Sequence, residues 1–374
     1  RYEMLDQLAD NMVDMLEDQT LFSQFIGTIA LSTPLPEEKI RCVRNEKFKP
    51  IYMAALVLAL FEEVRTNLPF SNPYLKKYLR GILGHKNPRY MTKEGESDLP
   101  IKVKNHYRDE VLKPIAKVAL IYSVGSHSPE VEGIFDGDRF HLLDDEKRRE
   151  MIELTHKKSL DYLKVGIGLP LKRYSSEDKQ KLFMTVENDK LRFMMAMLTS
   201  QSKDNHELDH LLRIPMVYSS FIISTKPGFN YQLIYQAYDV IEAGIESGLY
   251  NEQYARLFLS MMGRFPVGSG IYYISKETEH IEKAIVSSLF PAQIDEPICK
   301  QITRNQNQSL SQMEIVISRQ TNIYFLETRE NSAYEESYFS QRFNNELTFN
   351  ANELWEVQIP ALRFWKKLGE AKYN

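Results

Sequence analysis

The apolar positions of this chain fall into two textures. Up to about residue 263 they recur mostly at helical spacing; beyond it they come in short runs rich in β-branched and aromatic residues. Leu5, Leu8, Ala9, Met12, Val13 and Leu16 predict an amphipathic opening helix over residues 2–16. A second apolar patch, 22–31, stops at Thr33-Pro34-Leu-Pro36. Pro50 then precedes the run 51–64, apolar on nearly all sides, which reads as a helix beginning at that proline and lying in the middle of a bundle.

Residues 67–105 interrupt the pattern, with a short helix over 74–83 and a polar loop over 86–100 that suits a partner contact. Two helices follow, 111–124 and 144–165, the first closed by Gly125 and carrying a single lysine, Lys117, among apolar residues. The Asp136-Gly-Asp138 between them lacks the later ligands of a calcium loop and reads as a plain turn. Ser175-Ser-Glu-Asp178 predicts the start of a helix over 177–198, and helices over 206–224, 231–247 and 251–262 complete the body up to Gly263. Strands are predicted at 271–274, 284–290, 298–303, 313–317 and 322–326, forming a small sheet or barrel-like unit over 266–328, with a tail containing Trp355 and Trp365 packing back on it.

The fold class that follows is mainly α, a helical bundle followed by a small β-rich unit and a C-terminal tail. A length of 374 residues allows a large core, and 43% hydrophobic with 26% charged residues is ordinary for a globular chain. A net charge of -4 gives no support for a dominant nucleic-acid surface. Cys42 and Cys299 exclude a disulfide framework and point to a reducing, cytoplasmic setting. No apolar run approaches the roughly 20 residues that cross a bilayer.

Three segments carry a resemblance to a known family. They are Ala119-Leu-Ile-Tyr122-Ser123-Val-Gly125-Ser126, the helix within 143–170 that carries His156 and ends in Gly-Leu-Pro170, and 250–274 with Gly263-Arg-Phe-Pro266-Val-Gly268. In this order they resemble the HD-GYP subgroup of HD-domain phosphohydrolases, enzymes that hydrolyse cyclic di-GMP at a metal centre held by histidines and carboxylates. The resemblance spans 48–274 and implies an N-terminal helical segment over 1–47, an HD-GYP-like domain over 48–265 with an insertion at 67–105, and the β-rich unit and tail over 266–374.

The same resemblance implies what is missing. The family's adjacent His and Asp read Tyr122 and Ser123, its Lys reads Ser126, and the later ligand Asp falls near Met216-Val-Tyr218-Ser219, without a carboxylate. The His-His-Glu and Gly-Tyr-Pro signatures have no counterpart in 185–198. His156 alone stands at a ligand position, and one imidazole cannot assemble a metal cluster. No catalytic, cofactor or metal residue is therefore assigned. His127 reads as a helix-end histidine, and His206 and His210, four apart with Glu207 and Asp209 between them, are assigned no metal because His206 follows directly on the polar loop 200–205.

Three functions compete. The first is a catalytically inactive HD-GYP-like module that binds protein partners or its own copies, cytoplasmic and peripheral to a membrane-bound assembly, tied by resemblance to bacterial motility or cyclic-di-GMP control. The second is a cyclic-dinucleotide or nucleotide receptor using Tyr122, Arg192, Arg213 and Tyr218. The third is a phosphohydrolase with ligands rearranged among His127, His141, His156 and His206.

Overall fold

In the computed structural model, the described residues are 1–16, 18–33, 38–80, 82, 100–199, 207–302, 310–343, 346–356, 359, 361–365 and 372–373. The helices are α1 (Tyr2–Asp14), α2 (Gln19–Leu31), α3 (Glu38–Asn67), α4 (Pro73–Leu79), α5 (Ile101–Tyr107), α6 (Lys113–Ile121), α7 (Pro129–Ile134) and α8 (Asp145–Asp161). They continue with α9 (Glu177–Thr199), α10 (Glu207–Ile222), α11 (Ala237–Glu246) and α12 (Glu252–Met262). The strands β1 (Gly270–Ile274), β2 (Ile281–Ser288), β3 (Ile298–Ile302) and β4 (Leu310–Val316) follow. The tail holds α13 (Leu326–Glu330), α14 (Glu336–Phe343), β5 (Thr348–Phe349), α15 (Ala361–Phe364) and β6 (Lys372–Tyr373). The chain is mainly α-helical with a small β-rich unit after the bundle, as the two textures of the sequence predict.

Helix starts follow local chemistry. Asp18 accepts from the amides of Thr20 and Leu21, Asp144 from Lys147, and Asn251 from Tyr254, each satisfying N–H groups that the first helical turn leaves free. Gly263 ends α12 at φ 69°, a conformation that favours glycine.

At the centre lies α3, whose residues from Tyr52 to Phe61 are all at most 4% exposed. It packs against α1, α2, α6, α10 and α12. Burying each of its leucines contributes roughly 2 kcal/mol, so this one helix accounts for much of the core. Contrary to expectation, α3 does not begin at Pro50: it begins at Glu38 and carries the proline inside it. Pro50 removes one helical hydrogen bond. The preceding turns are held from outside, because Arg41 and Asn45 both donate to the Ser224 carbonyl at 2.7 Å. The boundary drawn at 47/48 therefore falls within a helix.

The predicted interruption at 67–105 is also shorter at its far end. Helix resumes at Ile101 and runs through a π turn (Arg108–Leu112) into α6. The wide turn precedes Pro114, which has no N–H to give to the ladder. Of the polar loop expected at 86–100, all but residue 100 lies outside the described residues.

The sheet has the order β5-β1-β2-β3-β4-β6, antiparallel throughout except for the parallel β4–β6 pair. It is open, not a barrel. The strand expected at 322–326 is instead a single bridge, Tyr273 to Asn322, and a turn into α13. There Asn322 accepts from the Tyr324 amide and bends the chain away from the ladder. The tail does pack back, on the bundle as well as the sheet. A Cβ at Gly27 of α2 would lie 2.4 Å from the Trp365 ring, and Asn352 donates to the carbonyls of Ala30, Leu31 and Thr33 at the end of α2. One continuous apolar cluster runs from Leu5 to Trp365 through helices and sheet.

Candidate functional site

The end of α6 is where the resemblance would put a metal centre. Tyr122 terminates the helix, Ser123 breaks it at φ -108°, and a 3-10 turn (Val124–His127) follows. Gly125 lies directly on the backbone of α8: a Cβ there would be 2.1 Å from the Thr155 carbonyl oxygen and 2.6 Å from the Ser159 nitrogen. The Gly125 N–H donates to Ser159 Oγ at 2.9 Å, and that hydroxyl donates to the Tyr122 carbonyl at 3.0 Å. One buried hydroxyl thus satisfies two groups that the broken helix leaves open.

This lock fixes what sits above it. His156 is one turn before Ser159 on α8, and its ring meets Tyr122 edge to face at 5.2 Å and 85°. Such ring pairs contribute about 1 kcal/mol beyond their burial. Tyr122 is 8% exposed; burial pulls the pKa of the half-buried His156 below its ordinary value, so the imidazole is neutral at pH 7.

The neighbouring residues point elsewhere. Ser123 is exposed to solvent. Ser126 is held by Arg139, which donates to its carbonyl at 2.8 Å and its hydroxyl at 3.0 Å, lies 3.4 Å from His127 Nε2, and pairs with Glu46 on α3. His127 and His141 are exposed, and Asp136-Gly137 forms a tight turn with both residues at positive φ. Among the described residues, no three His, Cys, Asp or Glu side chains converge as a metal site requires. His206 lies outside the described residues. His210 is buried at 1% exposure, and its Nδ1 accepts from the Asn251 N–H at 3.2 Å. Burial, with Arg213 nearby, brings its pKa down to about 4.

The four residues considered for nucleotide binding are occupied in different ways. Tyr218 is 1% exposed and packs on Phe258 at 5.2 Å, and Tyr122 faces His156, so neither ring presents an open face to a base. Arg213 pairs with Asp209 at 2.7 Å, while Arg192 extends into solvent. A cleft of about 340 Å³ does exist elsewhere, lined by Lys77, Tyr78, Ile82, Lys102, Val103, His106 and Tyr107. Its aromatic floor is engaged, with Tyr78 against His106 at 5.4 Å and the Tyr107 hydroxyl on Glu62.

Sequence reasoning missed the polar network at the other end of the same helical run. Lys117, 5% exposed, reaches Asp6 of α1 at 2.6 Å and lies 4.2 Å from the Tyr2 ring centre. Lys113 meets Asp6 at 2.7 Å, Arg108 meets Asp10 at 2.8 Å and Asp14 at 2.7 Å, and Glu110 meets Lys190 of α9 at 3.1 Å. Burial raises the pKa of Glu110 and lowers that of Lys117. Burial works the same way on Asp6, but hydrogen bonds from Lys113 and Lys117 outweigh it and hold its carboxyl below the usual value. The available signal was Lys117 itself, one charge in an apolar run.

The structure defines a class, a helical bundle with an appended open sheet and no described helix long and apolar enough to cross a membrane. No family model, curated protein or solved structure was found to match the chain.

Proposed function

We propose that this chain is a degenerate HD-GYP-like protein whose metal centre has been filled by side chains, and that it works as a structural or regulatory module binding other proteins. The carrying observation is the Tyr122–His156 contact. The resemblance aligns both positions with metal-binding residues of the family, and their ring contact supports that reading. What now joins them is a buried ring against a neutral imidazole. The Gly125–Ser159 lock holds α6 against α8 through an amide, a hydroxyl and a carbonyl, with no charged side chain. Attachment to cyclic-di-GMP-controlled machinery on the cytoplasmic side follows from the resemblance alone.

Two measurements on the purified full chain test this reading. Elemental analysis is expected to find no stoichiometric iron, manganese or zinc, and incubation with cyclic di-GMP and added manganese to give no hydrolysis. Stoichiometric, tightly held metal or metal-dependent turnover would overturn it.

A further inference from the structure

The connection from α8 to α9 holds a concentration of apolar side chains in water. Val165 is 87% exposed, Leu171 106%, Leu182 67% and Tyr174 36%. Isolated exposed leucines are ordinary, but these lie within one hairpin. The hairpin is held in shape by its own bonds. A π turn (Tyr162–Ile167) ends at Gly168, at φ 63°, whose N–H donates to the Leu163 carbonyl at 3.0 Å. Further on, Gln180 accepts from the Tyr174 N–H at 2.9 Å, and the Tyr174 ring sits 5.3 Å from Phe183 of α9.

Charge is distributed to match. Residues 157–181 contain seven basic and three acidic residues, in a chain whose net charge is -4. Between 162 and 175 there are Lys164, Lys172 and Arg173 and no acid, and all three are exposed. Each protruding aliphatic has a basic neighbour: Lys164-Val165, Leu171-Lys172 and Lys181-Leu182.

We propose that this hairpin docks the protein on an anionic lipid surface, with Val165 and Leu171 entering the headgroup layer and Lys164, Lys172 and Arg173 meeting lipid phosphates. Exposed aliphatic side chains, each flanked by lysine or arginine, gain from both the apolar boundary and the negative potential of a membrane surface. A protein interface would instead place contiguous aromatic and apolar groups at a fitted centre. The proposal does not depend on the filled centre.

The test is co-sedimentation of the full chain with vesicles of phosphatidylcholine alone or with roughly one-third phosphatidylglycerol. Binding is expected only to the anionic vesicles and is expected to weaken with salt. Removing the three charges together (K164S, K172S and R173S) should weaken binding about 100-fold, at about five-fold per charge. The pair V165S and L171S should weaken it about ten-fold, which simple charge attraction would not produce. All five side chains are exposed, so unchanged thermal midpoints check that each variant folds. Failure to bind anionic vesicles at low salt overturns the proposal, as does binding that both sets of substitutions leave intact. Retention on immobilised polyglutamate without vesicle binding also overturns it, in favour of an acidic protein partner.

Discussion

Between residues 108 and 117 the central helical run meets α1 and α9 through charges; between 121 and 127 it meets α8 through a ring, a hydroxyl and a glycine. Both ends are buried, so each had to answer the same cost of taking polar groups out of water. The charged end answers by pairing every buried lysine and carboxylate with a partner on another helix. The other end answers by having almost nothing left to pair. Paired charges hold elements in register but are vulnerable, because removing either partner strands the other. Close backbone packing is indifferent to charge and vulnerable to volume. The two ends should therefore break under different substitutions.

The largest effect belongs to volume. Gly125→Ala would press a methyl into the Thr155 carbonyl and the Ser159 nitrogen, and backbone atoms of a helix cannot step aside. The expected loss is about 4 kcal/mol in urea unfolding, with Tyr122 and His156 parted. Gly133→Ala, close by in α7 with nothing within 4 Å of the added carbon, should instead gain about 0.5 kcal/mol. Similar losses for both would mean that the close approach at Gly125 is not what holds α8.

Charge comes next, and there the asymmetry between partners is the test. Asp6→Ala leaves Lys117 buried beside nothing better than the Tyr2 ring, at an expected cost of about 3 kcal/mol. Lys117→Met leaves Asp6 still bonded to Lys113 and a third exposed, so its cost should stay within about 1 kcal/mol. Equal costs would show that the pair acts through packing alone.

How much of this was written in the sequence depends on which end one looks at. Periodicity marked nearly every helix of the bundle. The Ser175-Ser-Glu-Asp178 signal placed the start of α9 at Glu177, because a helix start is local chemistry. The start of α3 was hidden, because what overrides Pro50 is a hydrogen bond from Arg41 to a carbonyl 183 residues away. The turn at Asn322 was hidden for a similar reason, since one bridge to β1 replaces a strand that its residues favour. At the uncharged end, Tyr122 and His156 could be singled out because the resemblance read from the sequence puts them together, whereas Ser159 looked like any helical serine. The charged end was nearly invisible: Asp6 sits on a helix more than a hundred residues earlier, and only Lys117 hinted that something must meet it.

pH separates the two ends in a third way. Asp6 has a lowered folded pKa, so its stabilising contribution is present above the unfolded value of 3.8 and is lost as pH falls through the lower folded value. His156 also has a lowered pKa, but for a base the sign reverses. Above 6.5 it contributes nothing to pH dependence; below that the unfolded chain takes up the proton first, and stability falls. His210 behaves the same way and more strongly, because its shift from 6.5 to about 4 amounts to about 3 kcal/mol once fully developed. Acid unfolding should then show a first loss beginning near pH 6.5 and a second beginning only below 3.8. In His210→Asn, whose amide oxygen can still accept from the Asn251 N–H, most of the first loss should vanish and a small remainder should persist. Adding His156→Gln should remove that remainder and leave the loss below 3.8 untouched. If the remainder survives both substitutions, it does not come from His156, and that imidazole is more open to water than its packing at the end of α6 implies.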